Sequence, residues 1–176
     1  MKNKSQKGLA LSSSKGFTLV ELLVVIAIIG ILATLLLLQL GVARQRARDA
    51  KRIADVNQVR TALELYYDDN SSYPLMGTYA GLGALLVPKY LTLLPVDPLN
   101  AGVHIYNYAY NPVAAPILRY HLWAELEQWA QALNSDADIN STGWSGQVVN
   151  GALDVKATGC TTGASADCVY DTGQSQ

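Results

Sequence analysis

"GFTLVELLVVIAIIGILATLLLLQL", residues 16–40, is the stretch on which the fold turns. From Phe17 to Leu40 the chain runs 24 residues with one ionisable side chain, Glu21. As a helix this run is roughly 36 Å long at about 1.5 Å per residue, enough for one bilayer crossing. A buried helix of a soluble protein is the alternative, but about 18 apolar residues already favour a span. The run is too long for the apolar core of a secretory signal, and no A-x-A site follows it. Glu21 then poses a question, because a carboxylate in hydrocarbon costs free energy.

The flanks are sorted by charge. Met1 to Gly16 carries Lys2, Lys4, Lys7 and Lys15 and no acid. Gly41 to Asn70 carries six bases and five acids, with Arg44, Arg46, Arg48, Lys51 and Arg52 bunched at its start. With cations on both sides, the positive-inside rule does not decide the orientation. Ser71 to Gln176 holds three bases and eight acids, a net −5. That sign repels phosphate, so no nucleic-acid partner is expected. Its 106 residues suffice for one modest core.

Beyond Leu40 the helical pattern continues. Ala43, Ala47, Ala50 and Ala54, with Ile53, Val56, Val59, Leu63 and Tyr66, recur in steps of three and four. No Pro interrupts Phe17 to Ser72, so the spacing predicts one helix from about Phe17 to Asp69, on the order of 80 Å. "DDNSSYP" ends it, with Asn70 suited to a left-handed terminus and Pro74 excluding further helix. A short helix near Leu82 to Val87 and a proline-bearing loop, "LPVDPLN", precede an alternating strand, His104 to Tyr110. Leu118, Tyr120, Leu122, Ala124 and Leu126 alternate as in a half-buried strand. Leu118, Leu122, Leu126, Trp129 and Leu133 also fit a helix; the strand is preferred to about Leu126. Short strands are expected at Ala152 to Ala157 and Cys168 to Tyr170. The fold class is therefore α+β: a long N-terminal helix packed on a small antiparallel sheet.

The chain has two cysteines, Cys160 and Cys168. An even pair in a membrane-anchored chain suggests one disulfide outside the cytoplasm. A zinc site or two free thiols are the alternatives, and zinc lacks nearby nitrogen ligands. His104 and His121 fall in strand-like segments and read as structural. Glu125 and Glu127 read as a solvated edge, and Trp123, Trp129 and Trp144 as packing. No Walker loop, Gly-x-Ser-x-Gly or His-Glu-x-x-His occurs, which argues against a tethered enzyme. A membrane-anchored binding module is a further alternative, but a plain anchor has no need of Glu21.

"KGFTLVELLVVIAIIGILA" resembles the N-terminal signature of type IV pilins and pseudopilins. "AKRIADVNQVRTALELYYDDNSSYP", "GLGALL", "YLTLLPVDPLN" and "YNYAY" resemble the G-type major pseudopilin of type II secretion. The likeness spans about Lys15 to Tyr110 and is thin thereafter. It implies a basic leader, residues 1–16, removed by a prepilin peptidase between Gly16 and Phe17, with methylation of Phe17. It implies a membrane half, 17–40, an amphipathic half, 41–70, and a head, 71–176, that ends in a Cys-bounded loop. Glu21 becomes the acid that meets the Phe17 amine of a neighbouring subunit, or its own. The partners implied are further copies in a filament, minor pilins, an inner-membrane platform protein and an assembly ATPase. The N-terminus would lie inside and the head outside. An adhesion or motility pilus is the near alternative to a secretion pseudopilus.

Two departures from that family stand out. Leu38 occupies a position where many relatives carry Pro, so no kink is implied there. The family's calcium loop has "SDADINSTGWSGQ" as its nearest counterpart, with Asp136, Asp138 and Asn140 at alternate positions. Ser141 stands where an EF-hand needs Gly and Gln147 where it needs Glu, so calcium and a plain polar turn both remain open.

Overall fold

The computed structural model describes residues 16–112, 114–151, 160 and 168–174. The expected strand at 152–157 lies outside them. Helix α1, Leu19–Asn70, runs 52 residues without a break through Gly30 and Gly41. Two units divide after Gly41.

The first unit is the apolar part of α1. Its side chains are bare: Ile26 is 61 % exposed and Leu36 70 %. An apolar surface of this length is stable in hydrocarbon or against other apolar helices, not in water. The soluble-core alternative is thereby overturned.

The second unit packs the rest of α1 on a sheet. Strands β1 (Tyr106–Asn111), β2 (Arg119–Glu125), β3 (Ser145–Gly146) and β4 (Val169–Gln174) lie in the order β3-β1-β2-β4, antiparallel throughout. Tyr108 pairs with Leu122, and Leu122 with Thr172. Val56, Val59, Ala62 and Leu63 of α1 form one core with Tyr106, Tyr108, Tyr120, Leu122 and Ala124 of the sheet. A 3-10 turn, Tyr79–Leu82, leads into α2, Gly83–Leu86, and adds Leu82 and Leu86 to that core.

The structure departs from the sequence reading at several places. Ser71, at φ 54°, takes the left-handed terminus instead of Asn70, whose side chain donates to Tyr66 O at 2.8 Å. Leu118 is exposed and precedes its strand. Strand β2 is covered on both faces, because residues 136–151 cross its outer side; His121 is fully buried. The last strand extends well past Tyr170. Ala43, Ala47, Ala50 and Ala54 face outward, and the inward positions of that stretch are Asp49 and Arg52.

Arg52 explains this inversion. Its side chain is fully buried. Nε and Nη2 donate to the two Asp97 oxygens at 2.6 and 3.1 Å. Nη1 donates to Asp49 at 2.7 Å and to Glu127 at 2.8 Å. Glu127 also takes two bonds from Arg48, Asp49 caps the Glu127 and Gln128 amides, and Asp97 caps those of Leu99 and Asn100. One guanidinium thus joins α1, the "PVDP" loop and the chain leaving β2. Burial alone would lower the Arg52 pKa, but the bonds to Asp97, Glu127 and Asp49 outweigh it and raise it. The solvated edge expected at Glu125 and Glu127 is overturned: both are buried, and Glu127 lies inside this cluster.

Removing one partner of a buried ion network strands the others. Arg52→Ala is expected to destabilise the head by roughly 3–5 kcal/mol. Arg52→Lys should restore little, because an ammonium cannot fork between carboxylates. Denaturant unfolding of the full chain in detergent checks both.

The Arg48 hydrogen bonds, aided by Arg52, hold Glu127 down at about 2 against an ordinary 4.5. For Asp97, burial pushes upward, but the Arg52 bonds and two amides outweigh it and leave the carboxyl lowered. A lowered folded value means the contribution is complete above the ordinary pKa and is lost as pH falls through the folded one. Thermal midpoints should therefore drop as pH falls from about 4.5 toward 2, and Glu127→Gln should weaken that dependence. A midpoint flat across this window would refute the assignment.

Candidate functional site

The start of α1 carries Glu21. Gly16 and Phe17 precede the helix and are exposed. Thr18 is the N-cap, and its N–H and hydroxyl each donate to Glu21 Oε2 at 2.8 Å. The Glu21 N–H donates back to Thr18 Oγ1 at 3.2 Å. This reciprocal pair is a capping box, which satisfies amides that the first helical turn leaves open. A carboxylate at this end also meets the positive pole of the helix dipole. Both Thr18 bonds fall on one carboxylate oxygen. Glu21 therefore has a local role: it closes the N-terminus of a helix that hydrocarbon would otherwise leave with unpaired amides. Sequence reasoning missed Thr18, although T-x-x-E before an apolar run is a readable signal.

A second constellation lies in the head. His121 Nε2 is 2.8 Å from Asp171 Oδ2, and Nδ1 is 2.8 Å from Ser141 Oγ. Ser, His and Asp in a row invite comparison with hydrolases, but catalysis needs a hydroxyl open to substrate. Ser141 is fully buried, and its Oγ lies 3.0 Å from both Val149 N and Val149 O. Asp171 meanwhile accepts from the amides of Ala137 and Ile139 at 2.9 and 2.7 Å. The row binds residues 136–149 over β2 and β4. His104 is likewise buried, with Nδ1 3.3 Å from Glu125 O. No sequence pattern announces the row, because its members are 20 and 50 residues apart.

The residues singled out for calcium are engaged separately. Asp136 Oδ2 accepts from Asp171 N at 3.2 Å, and Asn140 Oδ1 from Thr142 N at 3.0 Å. Asp138 is exposed, at φ 49°. Among the described residues no group of three or more His, Cys, Asp or Glu gathers as metal ligands. Cys160 and Cys168 are joined by a disulfide, with Cα atoms 5.3 Å apart, which leaves no thiolate for zinc. A cleft of about 350 Å³ lies beside Tyr79, Val96, Asp97 and Tyr106, and it contains no nucleophile–base pair.

Comparison with known proteins bears on the N-terminus and on the whole chain. Residues 11–37 match the prokaryotic N-terminal methylation motif, and this match includes Gly16, Phe17 and Glu21. Type II secretion system core protein G of Pseudomonas aeruginosa is 34 % identical over 139 residues, which is 72 % of this chain and 93 % of that protein. The Klebsiella pneumoniae protein of the same name is 40 % identical over 104 residues, 52 % of this chain and 73 % of its own. The type IV wide pilus major component PilA4 of Thermus thermophilus is 51 % identical over 61 residues, 35 % of this chain and 47 % of its own. No solved structure matches at a significant level. The Pseudomonas likeness reaches well beyond the helix into the head, and on that extent the chain belongs to the type II secretion system core protein G family.

Proposed function

We propose that this chain is a filament subunit of a type II secretion machine: a pseudopilin made with a basic leader, cut after Gly16, and polymerised through α1. The observation that carries this reading is the bare apolar half of α1 with Glu21 at its start. Once such helices leave lipid and pack together, Glu21 is cut off from water and needs a cation. The new Phe17 amine of a neighbouring copy is the partner proposed. The capping box leaves the second carboxylate oxygen for it. Sliding one subunit along another would strand the charge, so the pair would set axial register. Repeated head-to-tail contacts then give a fibre in place of a closed ring.

The reaction the chain undergoes belongs to other proteins. A prepilin peptidase would cleave and methylate it. A platform protein and an assembly ATPase would extract it from the inner membrane, and minor pilins would join it. The charges flanking the span leave the orientation open, and the disulfide favours a head outside the cytoplasm, with the N-terminus inside. The proposed role is structural, without catalysis. A motility or adhesion pilus is the second reading, favoured by the Thermus likeness, but that likeness spans only 35 % of this chain.

Intact mass of the native pool tests processing: loss of Met1 to Gly16 with one added methyl is expected, and a full-length mass would refute the reading. Glu21→Gln separates cap from charge, because a glutamine still accepts from Thr18 yet cannot pair with an amine. Loss of filaments in Glu21→Gln as well as Glu21→Ala is expected; wild-type assembly of the glutamine variant would reduce Glu21 to a cap. Calcium at Asp136, Asp138 and Asn140 is the cofactor reading to test. A thermal midpoint unchanged between calcium and chelator is the expected result, and a rise abolished by Asp138→Ala would establish the site.

A further inference from the structure

The stem looks mixed in charge as a sequence, with six bases and five acids from Gly41 to Asn70. Its folded surface is different. Asp49 and Asp55 are buried, the first against the Glu127 and Gln128 amides and Arg52, the second accepting from the Tyr106 hydroxyl at 2.7 Å. From Gly41 to Thr61 every exposed charge is positive: Arg44, Arg46, Lys51 and Arg60. Lys51 lies 3.8 Å from Asp55, and Arg48 is committed to Glu127. Arg44 and Arg46 enter no ion pair among the described residues.

These two arginines follow the apolar run along one continuous helix, four and six residues after Leu40. That places them roughly 6 and 9 Å past the end of the run at about 1.5 Å per residue. The polar layer of one leaflet is about 5–8 Å thick, so Arg44 lies at phosphate depth and the long Arg46 side chain reaches back to it. Two residues of helix turn through roughly 200°, so Arg44 and Arg46 point to opposite sides and reach different lipids. Guanidinium binds phosphate in a forked, bidentate manner. The acids that would screen such binding are turned into the head.

We propose that Arg44 and Arg46 form a collar that binds anionic phospholipid headgroups and fixes the depth of the subunit in the bilayer before assembly. The inference rests on reading residues 17–40 as a membrane span. Leaving the membrane then means breaking these phosphate contacts, so the collar also sets part of the resistance to extraction.

The full chain, reconstituted in phosphatidylcholine vesicles with a minority of phosphatidylglycerol, can be probed with spin-labelled lipids of either headgroup. The wild type should prefer the phosphatidylglycerol label on the order of fivefold, and the preference should fall with salt. Arg44→Gln/Arg46→Gln should lose most of it while staying in the membrane through an alkaline wash. No preference in the wild type overturns the collar. So does an undiminished preference in the double variant, which would assign the attraction to Lys2, Lys4, Lys7 and Lys15. An undiminished preference together with lost copy-to-copy crosslinking would give the arginines to a protein contact instead. A wild-type chain that alkali washes out of the vesicles would overturn the span, and the collar with it.

Discussion

A guanidinium removed from water must be matched by carboxylates at hydrogen-bonding distance, and the head is organised around that requirement at Arg52. Four of its five N–H donors are bound to three acids from three separate stretches. Hydrophobic packing of Val56, Val59 and Leu63 would tolerate small shifts of α1 along the sheet. The Arg52 bonds would not, because a shift of one residue strands an ion in the interior. Apolar burial supplies most of the free energy of the head, and the charge cluster selects one position for the helix. Further along α1 the same device recurs with hydroxyl donors: Glu64 accepts from the hydroxyls of Tyr73 and Tyr120 at 2.9 and 2.8 Å.

Glu21 obeys the same rule in another medium. In the bilayer its charge sits near the helix end, where Thr18 donors and the helix dipole can support it. In a packed fibre the proposed support is an amine from another copy. In the proposed fibre one residue would therefore serve local folding and assembly with different oxygens of the same carboxylate.

Which parts were legible in the sequence follows from the range of the interactions. The long helix, the strand of alternating tyrosines and the strand ending near Leu126 are written in short-range periodicity, and all three are present. The Arg52 cluster joins residues up to 79 positions apart, and no local pattern encodes it. Apolarity alone points to the alanines at 43, 47, 50 and 54 as the buried stripe. The true inward residues there are charged, and their partners Asp97 and Glu127 lie in segments whose placement depends on the finished sheet. The structural role of His121 is legible from its strand-like segment, whereas its link to Ser141 and Asp171 depends on the covering of the outer face of β2.

The order in which the chain emerges gives the stem a further property. Tyr170 of β4 holds Asn57 of α1 at 2.9 Å, across 113 residues of sequence. The membrane helix is thus synthesised and ready to insert long before the strand that completes its packing surface exists. Throughout that interval Arg48, Asp49 and Arg52 also lack Asp97 and Glu127, the later partners with which they are buried in the finished head.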